Sequence, residues 1–178
     1  MPGSVLWLSR GITTAVENLR SEAEKRGVDP QRLIFADRLS LDEHLARLKF
    51  ADLALDTRVY NGGATTSNAL WASVPVITLL GSHFVSRMSA SALAAVGLSE
   101  LITQSLEEFE TLAVQLASNP DRLQALRQKL GGLRLTEPLF DTPRFVRNLE
   151  KAYQKIWQIY LEGQIPQPIE TVDGENYG

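Results

Sequence analysis

The sequence contains no cysteine, which excludes disulfides, thiolate metal sites and a thiol nucleophile. Histidine is nearly as scarce: His44 and His83 are the two present, 39 positions apart, so no metal centre is expected. No apolar run approaches the roughly 18 residues of a membrane-spanning helix, and the first residues lack the charged-then-apolar order of a secretory leader. A cytoplasmic location is therefore the default expectation, with no membrane partner. A basic excess is missing as well. The net charge of −3 comes from Glu170, Asp173 and Glu175 beyond Gly163, and the rest of the chain holds 18 acidic and 18 basic residues. Such a balance offers no footprint for nucleic acid.

What is present describes a globular chain. At 178 residues, 44% hydrophobic and 22% charged, it suffices for one domain with a core or for half of a larger two-domain enzyme. Short apolar runs alternate with amphipathic stretches. Strands are expected at 4–9, 33–36, 51–56, 75–80 and 101–102, and helices at 13–26, 40–50, 67–73, 85–96, 105–118, 119–132 and 143–161. Ser40-x-x-Glu43 and Ser105-x-x-Glu108 have the spacing of capping boxes. The last helix carries Phe145, Leu149, Ala152, Tyr153, Ile156, Trp157 and Tyr160 on one face, which reads as a core stripe. Residues 164–178 read as a flexible acidic tail. Alternation of this kind predicts an α/β fold, a Rossmann-like parallel sheet flanked by helices. Ligands bind such sheets at the carboxyl ends of the strands, which here feed the turns after Ala36, Asp56 and Leu80.

Three groups of residues carry chemistry. In Asn61-Gly62-Gly63-Ala64-Thr65-Thr66-Ser67-Asn68 a polar turn feeds a helix, and the orphan N–H groups of a first helical turn attract anions. Gly62 and Gly63 permit close backbone approach; Thr65 and Thr66 can each donate to a phosphate oxygen, and Asn68 lies one turn further in, within reach of a ribose hydroxyl. The same residues are also good turn and N-cap chemistry. His44 and Arg47 share a helix face and could address a nucleobase and ribose, or else be a solvated histidine and an arginine paired with Glu43. Arg87 is the lone charge between Arg58 and Glu100; it requires either a structural carboxylate or a ligand anion.

Dispersed blocks in a fixed order then point to a family. Leu53 through Thr57, the turn at Asn61-Gly62 with Thr65, Ala69-Leu70-Trp71-Ala72, Pro75 through Thr78, and Gly81 through Ser86-Arg87 resemble the carboxyl-terminal catalytic lobe of the O-linked N-acetylglucosamine transferases, the SPINDLY-like enzymes of glycosyltransferase family 41. The resemblance extends from Ser4-Val5-Leu6-Trp7-Leu8 through Pro138-Leu139-Phe140 to Trp157. It implies a GT-B enzyme in which residues 1–163 form the nucleotide-sugar lobe, lacking its first strand. The lobe would bind UDP-N-acetylglucosamine for transfer to Ser or Thr hydroxyls of proteins, with no metal or other cofactor. By the same resemblance His44 and Arg47 match a His-x-x-Arg at the uridine, the backbone near Leu39 lies beside the uracil, and Thr65 matches one of two threonines at the diphosphate. The family's His-Thr-Thr and following Asp are replaced here by Gly63-Ala64-Thr65 and Asn68, with Thr66 available as the second hydroxyl. Acceptor proteins would be met through an amino-terminal lobe and TPR repeats that this sequence does not contain, so the lobe alone is expected to be inactive. A non-catalytic interaction module of the same descent, or a lobe for another nucleotide sugar such as GDP-fucose, are the rival readings.

Overall fold

The structure, a computed structural model, describes residues 3–171. Strands and helices alternate in the order β1 (Leu6–Ser9), α1 (Thr13–Lys25), β2 (Leu33–Ala36), α2 (Leu41–Leu48), β3 (Ala54–Leu55), α3 (Ala64–Trp71), β4 (Val76–Leu79), α4 (Met88–Ala95) and β5 (Ile102–Thr103). Three helices close the chain: α5 (Leu106–Ala117), α6 (Pro120–Leu133) and α7 (Thr142–Leu161). Every strand pairing is parallel, β1 with β2, β3 with β4 and β4 with β5. They form two sheets, β1-β2 and β3-β4-β5. The expected α/β class is therefore what the chain adopts.

The core sits around β4. Val76 and Ile77 are enclosed by Ala69 and Leu70 of α3, Leu93 of α4, Leu116 of α5 and Leu123, Leu126 and Leu130 of α6. Each fully buried aliphatic side chain contributes about 1.5–3 kcal/mol, so this half of the molecule carries most of the stability. The β1-β2 half contributes little: Leu33 alone in that pair is buried, and α1 buries no residue.

Local signals set most helix ends. The Ser40 hydroxyl accepts the Glu43 N–H at 3.4 Å while the Glu43 carboxylate accepts the Ser40 N–H at 3.2 Å, closing the box that opens α2. At α5 only half of the box forms. Ser105 accepts the Glu108 N–H at 3.1 Å, but the Glu108 carboxylate turns to the N–H of Gln104 at 2.7 Å. Gly27 and Gly97, at φ 72° and 76°, end α1 and α4 in the left-handed conformation that glycine tolerates.

Several expected boundaries move. β3 keeps only Ala54–Leu55 of the expected 51–56, because Ala51 still closes the α2 exit with Leu48 and its carbonyl, with that of Lys49, is taken by Arg127. α3 begins at Ala64 rather than Ser67, which places Thr65 and Thr66 inside its first turn. The helix expected over 85–96 splits into a short 3-10 turn, Phe84–Ser86, and α4, because the Ser86 hydroxyl bonds back to His83. α6 continues through Gly131-Gly132 to Leu133.

The largest correction concerns α7. No residue of this helix is buried; Phe145, Tyr153, Trp157 and Tyr160 are each at least 60% exposed. The apolar stripe that reads as core lies on the surface, with Trp157 stacked on Tyr160 at 5.4 Å. The intermediate positions of α7 include Arg144, Asn148, Lys151 and Lys155 instead. Of the expected tail, residues 164–171 form neither helix nor strand, and residues 172–178 lie outside the described part.

Candidate functional site

The turn between β3 and α3 is fixed by a carboxylate at the end of β3. Asp56 accepts the Gly62 N–H at 2.8 Å through one oxygen and the Thr78 hydroxyl at 2.6 Å through the other. Thr78 is fully buried on β4, so this bond pins the turn to the core sheet. Asn61 is also fully buried; its amide donates to the Thr57 carbonyl at 2.9 Å and its backbone N–H to the Val85 carbonyl at 2.9 Å.

The helix that follows opens without a cap. No side chain bonds its first turn, and the N–H groups of Gly63, Ala64, Thr65 and Thr66 have no partner among the described residues. Unpaired donors at the positive end of a helix are the arrangement that attracts an anion. Gly62 is required for this shape: a Cβ there would lie 2.5 Å from the Thr65 hydroxyl and 2.6 Å from that of Thr66. A Cβ on Gly63 would meet the Met88 methyl at 2.9 Å.

The two threonines differ. Thr65 is exposed and its hydroxyl has no partner among the described residues, so it is free to donate. Thr66 is only 4% exposed and lies 2.7 Å from the Ser89 hydroxyl, which itself donates to the Gly62 carbonyl at 2.9 Å. A serine hydroxyl has one proton, so Thr66 is the donor of that pair. Its hydrogen is committed to fastening the turn onto α4, which corrects the expectation that Thr66 supplies a second phosphate donor. Asn68 is half-buried on the next turn with no side-chain partner among the described residues.

Arg87 sits at the N-cap of α4, one residue before the methionine that touches Gly63. Its guanidinium meets no carboxylate among the described residues. The structural alternative for this charge thus has no partner.

On α2, His44 and Arg47 are brought together. Arg47 donates to the Asp37 carbonyl at 2.8 Å and lies 3.3 Å from Nδ1 of His44. A guanidinium only donates, so Nδ1 accepts and the neutral imidazole carries its proton on Nε2, away from Arg47. Arg47 also lies 5.3 Å from the Trp7 ring, a cation–π contact. The expected pairing of Arg47 with Glu43 does not form: the Ser40 hydroxyl and backbone N–H take the Glu43 carboxylate and hold its pKa below the ordinary range. Leu39 is exposed in the loop leading to α2, and α2 packs beside α3. The helix that carries the His–Arg pair is thus a packing neighbour of the helix that the uncapped turn opens. Asp56, Thr78 and Ser89 position the turn yet were not among the expected site residues; the visible signal was an aspartate at a strand's carboxyl end ahead of Gly62-Gly63.

Two concavities frame the surface. One of about 130 Å³ adjoins the turn, lined by Leu55, Asp56, Thr57, Gly62, Thr65 and Thr66 among others. A wider, open cleft of about 540 Å³ lies between β5 and α5 and is edged by Glu100, Glu107 and Glu108. Three carboxylates repel an anion, whereas the smaller cavity is edged by the Thr65 hydroxyl and the turn at Gly62, and its one carboxylate, Asp56, is engaged by the Gly62 N–H and the Thr78 hydroxyl. Among the described residues no cluster of His, Asp and Glu is arranged to hold a metal, and no helix is long and apolar enough to cross a membrane.

Comparison with known proteins places these features in context. Residues 1–149 match the model of glycosyl transferase family 41. The chain is 42% identical over 176 residues to the probable UDP-N-acetylglucosamine–peptide N-acetylglucosaminyltransferase SEC of Arabidopsis thaliana, covering 98% of this chain and 18% of that protein. It is 32% identical over 163 residues to the UDP-N-acetylglucosamine–peptide N-acetylglucosaminyltransferase of Caenorhabditis elegans, covering 92% and 14% respectively. A solved mutant O-GlcNAc transferase of Thermobaculum terrenum superposes with a TM-score of 0.81 at 32% identity, over 86% of this chain and 30% of that one. The chain thus spans less than a fifth of these two curated relatives. The match to the solved enzyme bears out the expected parallel α/β lobe of a GT-B transferase.

Proposed function

Because the chain belongs to glycosyltransferase family 41, we propose that it is the donor-binding lobe of a protein O-GlcNAc transferase, taking UDP-N-acetylglucosamine as the donor. The observation that carries this reading is the uncapped first turn of α3, with four N–H groups and the Thr65 hydroxyl that have no partner among the described residues. The diphosphate would rest there, with the Arg87 guanidinium as a nearby cation. His44, through Nε2–H, and Arg47 would face the uridine beside the Leu39 backbone, and Asn68 would take a ribose hydroxyl. When the sugar passes to a Ser or Thr hydroxyl, negative charge grows on the departing UDP. Fixed N–H donors and a helix dipole stabilise that charge more in the transition state than in the ground state, which leaves no chemical requirement for a metal. The acceptor protein would be held by other parts of a longer polypeptide, an amino-terminal lobe and TPR repeats, in the cytoplasm. The lobe alone would bind the donor without transferring it.

Isothermal calorimetry of the 178-residue chain with UDP, and in parallel with GDP, tests the reading. Weak binding is expected, with UDP preferred and affinity lowered in Thr65→Ala and His44→Ala. Absence of heat at millimolar UDP, or binding untouched by both substitutions, would sink it. A preference for GDP would move the assignment to a different nucleotide sugar.

A further inference from the structure

The loop between β2 and α2 is held at both ends and bare in its middle. At its start the Asp37 carboxylate takes the Arg10 Nε at 2.7 Å, and the Asp37 carbonyl accepts from Nη1 of Arg47 at 2.8 Å. At its end Ser40 is closed into the box with Glu43. Between these anchors the backbone N–H and C=O groups of Arg38 and Leu39 have no partner among the described residues, and Leu39 is 46% exposed. Peptide donors and acceptors of this kind need a partner. Fixed from both sides, they suit the edge of a planar base.

Arg47 is the centre of this arrangement. Its Nη1 goes to the Asp37 carbonyl, its Nη2 lies 3.3 Å from Nδ1 of His44, and its Nε is buried without a hydrogen-bond partner. The guanidinium carbon lies 5.3 Å from the centre of the Trp7 ring, a stacking contact suited to the planar arginine head. All three nitrogens are thus turned to the protein or enclosed by it. A guanidinium engaged in this way has little left to offer a nucleobase, and its bonds do other work. One fixes the backbone on which Arg38 and Leu39 follow; the other leaves Nε2–H as the donor of the His44 ring. Trp7 lies on β1 opposite Ile34 of β2. Its ring therefore refers the position of Arg47 to the sheet from which the loop departs.

We propose that Trp7 and Arg47 are positioning residues for the base of the donor nucleotide: stacked on Trp7, Arg47 holds the Arg38-Leu39 backbone and the His44 tautomer in place, and these groups, not the guanidinium, read the uracil edge. The inference rests on the donor-site reading above. Uracil carries an acceptor at O4 where cytosine carries an amino donor. N–H donors fixed on the loop or at Nε2 of His44 therefore favour uracil, and a site built to bond one edge rejects the other because its polar groups are left unpaired. Selectivity between UDP and CDP then depends on the clamp. Contacts to the ribose and diphosphate, which the two nucleotides share, do not contribute to it.

Two readouts test the proposal, one of them without nucleotide. At alkaline pH, nitrogen NMR of the histidine-labelled chain should show His44 protonated at Nε2 and bare at Nδ1. In Arg47→Met and in Trp7→Leu the Nδ1–H form should gain a measurable share, and Trp7→Phe, which keeps a ring face, should restore the original spectrum. The second readout is calorimetry with UDP and CDP in parallel. The ratio of the two affinities should fall by at least about 10-fold in Arg47→Met and Trp7→Leu, and by less than about threefold in Trp7→Phe. A merely loosened fold lowers both affinities together, so the ratio separates positioning from stability. An unchanged His44 spectrum in both Arg47→Met and Trp7→Leu would overturn the proposal. So would affinities for UDP and CDP that fall in proportion, which would place Arg47 on a part that both nucleotides share. If the unsubstituted chain bound neither nucleotide, the donor assignment would fall and the base reading with it, while the His44 spectrum would still decide whether Trp7 and Arg47 set that ring.

Discussion

The division of labour between Thr65 and Thr66 can be tested by replacing each with valine, which keeps the shape and removes the hydroxyl. Thr66 is 4% exposed and donates across 2.7 Å to Ser89, which donates in turn to the Gly62 carbonyl. In Thr66→Val the Ser89 oxygen loses its incoming donor inside the protein, a loss of about 1–2 kcal/mol for a buried hydrogen bond. For a domain of this size that lowers the melting temperature by about 2–8 °C. Thr65→Val removes a solvent-facing hydroxyl with no partner among the described residues, so stability should stay within about 0.5 kcal/mol. Binding should respond in the opposite order. A hydrogen bond to a charged phosphate contributes about 1.5–3 kcal/mol, so Thr65→Val should weaken UDP by about 10-fold to 100-fold, whereas Thr66→Val should change it by less than about threefold. Urea denaturation and calorimetry on the same preparations give both axes. If Thr65→Val were the more destabilising variant, or left UDP affinity intact, the reasoning would be refuted.

Three further perturbations probe the framework. Asp56→Ala leaves the Gly62 N–H and the buried Thr78 hydroxyl without their acceptor, so denaturation should report a loss of about 2–4 kcal/mol; a change below about 0.5 kcal/mol would mean that the carboxylate does not anchor the turn. Trp157→Gln should alter the stability of the 178-residue chain by less than about 0.5 kcal/mol, since Trp157 is 60% exposed, and a loss of about 3–5 kcal/mol would mark it as core after all. Acid should loosen the start of α2. Ser40 holds the Glu43 pKa below its ordinary value, so the box contributes stability above the ordinary carboxylate range and loses it as pH falls through the lowered folded value. Exchange of the Ser40 amide, corrected for intrinsic rate, should therefore lose protection on acidification, and constant protection would contradict the box.

The class of fold was legible because the parallel strands lie in short apolar runs bounded by turn residues, and the helices α1 and α2 between them carry periodic stripes. The β4 run at Pro75 to Leu80 and the Ser40 box are cases where local chemistry and tertiary structure agree. β3 was overestimated because its first residues are claimed by Arg127, 76 positions away from Ala51, which no local pattern can signal. α3 was placed three residues late because small polar residues favour turns locally, whereas Asp56 and Ser89 tie Gly62 so that the helix starts at once. The same long-range bond separates Thr66 from Thr65; both are threonines in a turn, and only the partner on α4 distinguishes them. For α7 the periodicity correctly gave a helix and incorrectly gave a core, since an apolar stripe specifies a contact surface without saying whether the contact lies within these residues.

If the uncapped first turn of α3 receives the diphosphate of a nucleotide sugar, its own amides must report it. The most direct measurement is a titration of the isotope-labelled chain with UDP, following backbone amide resonances. The largest shifts should fall on Gly63, Ala64, Thr65 and Thr66, with smaller ones at His44 and Arg47 and none at Glu107 or Glu108 of the acidic cleft. Unchanged resonances in this turn at millimolar UDP, or shifts centred on the acidic cleft, would contradict it.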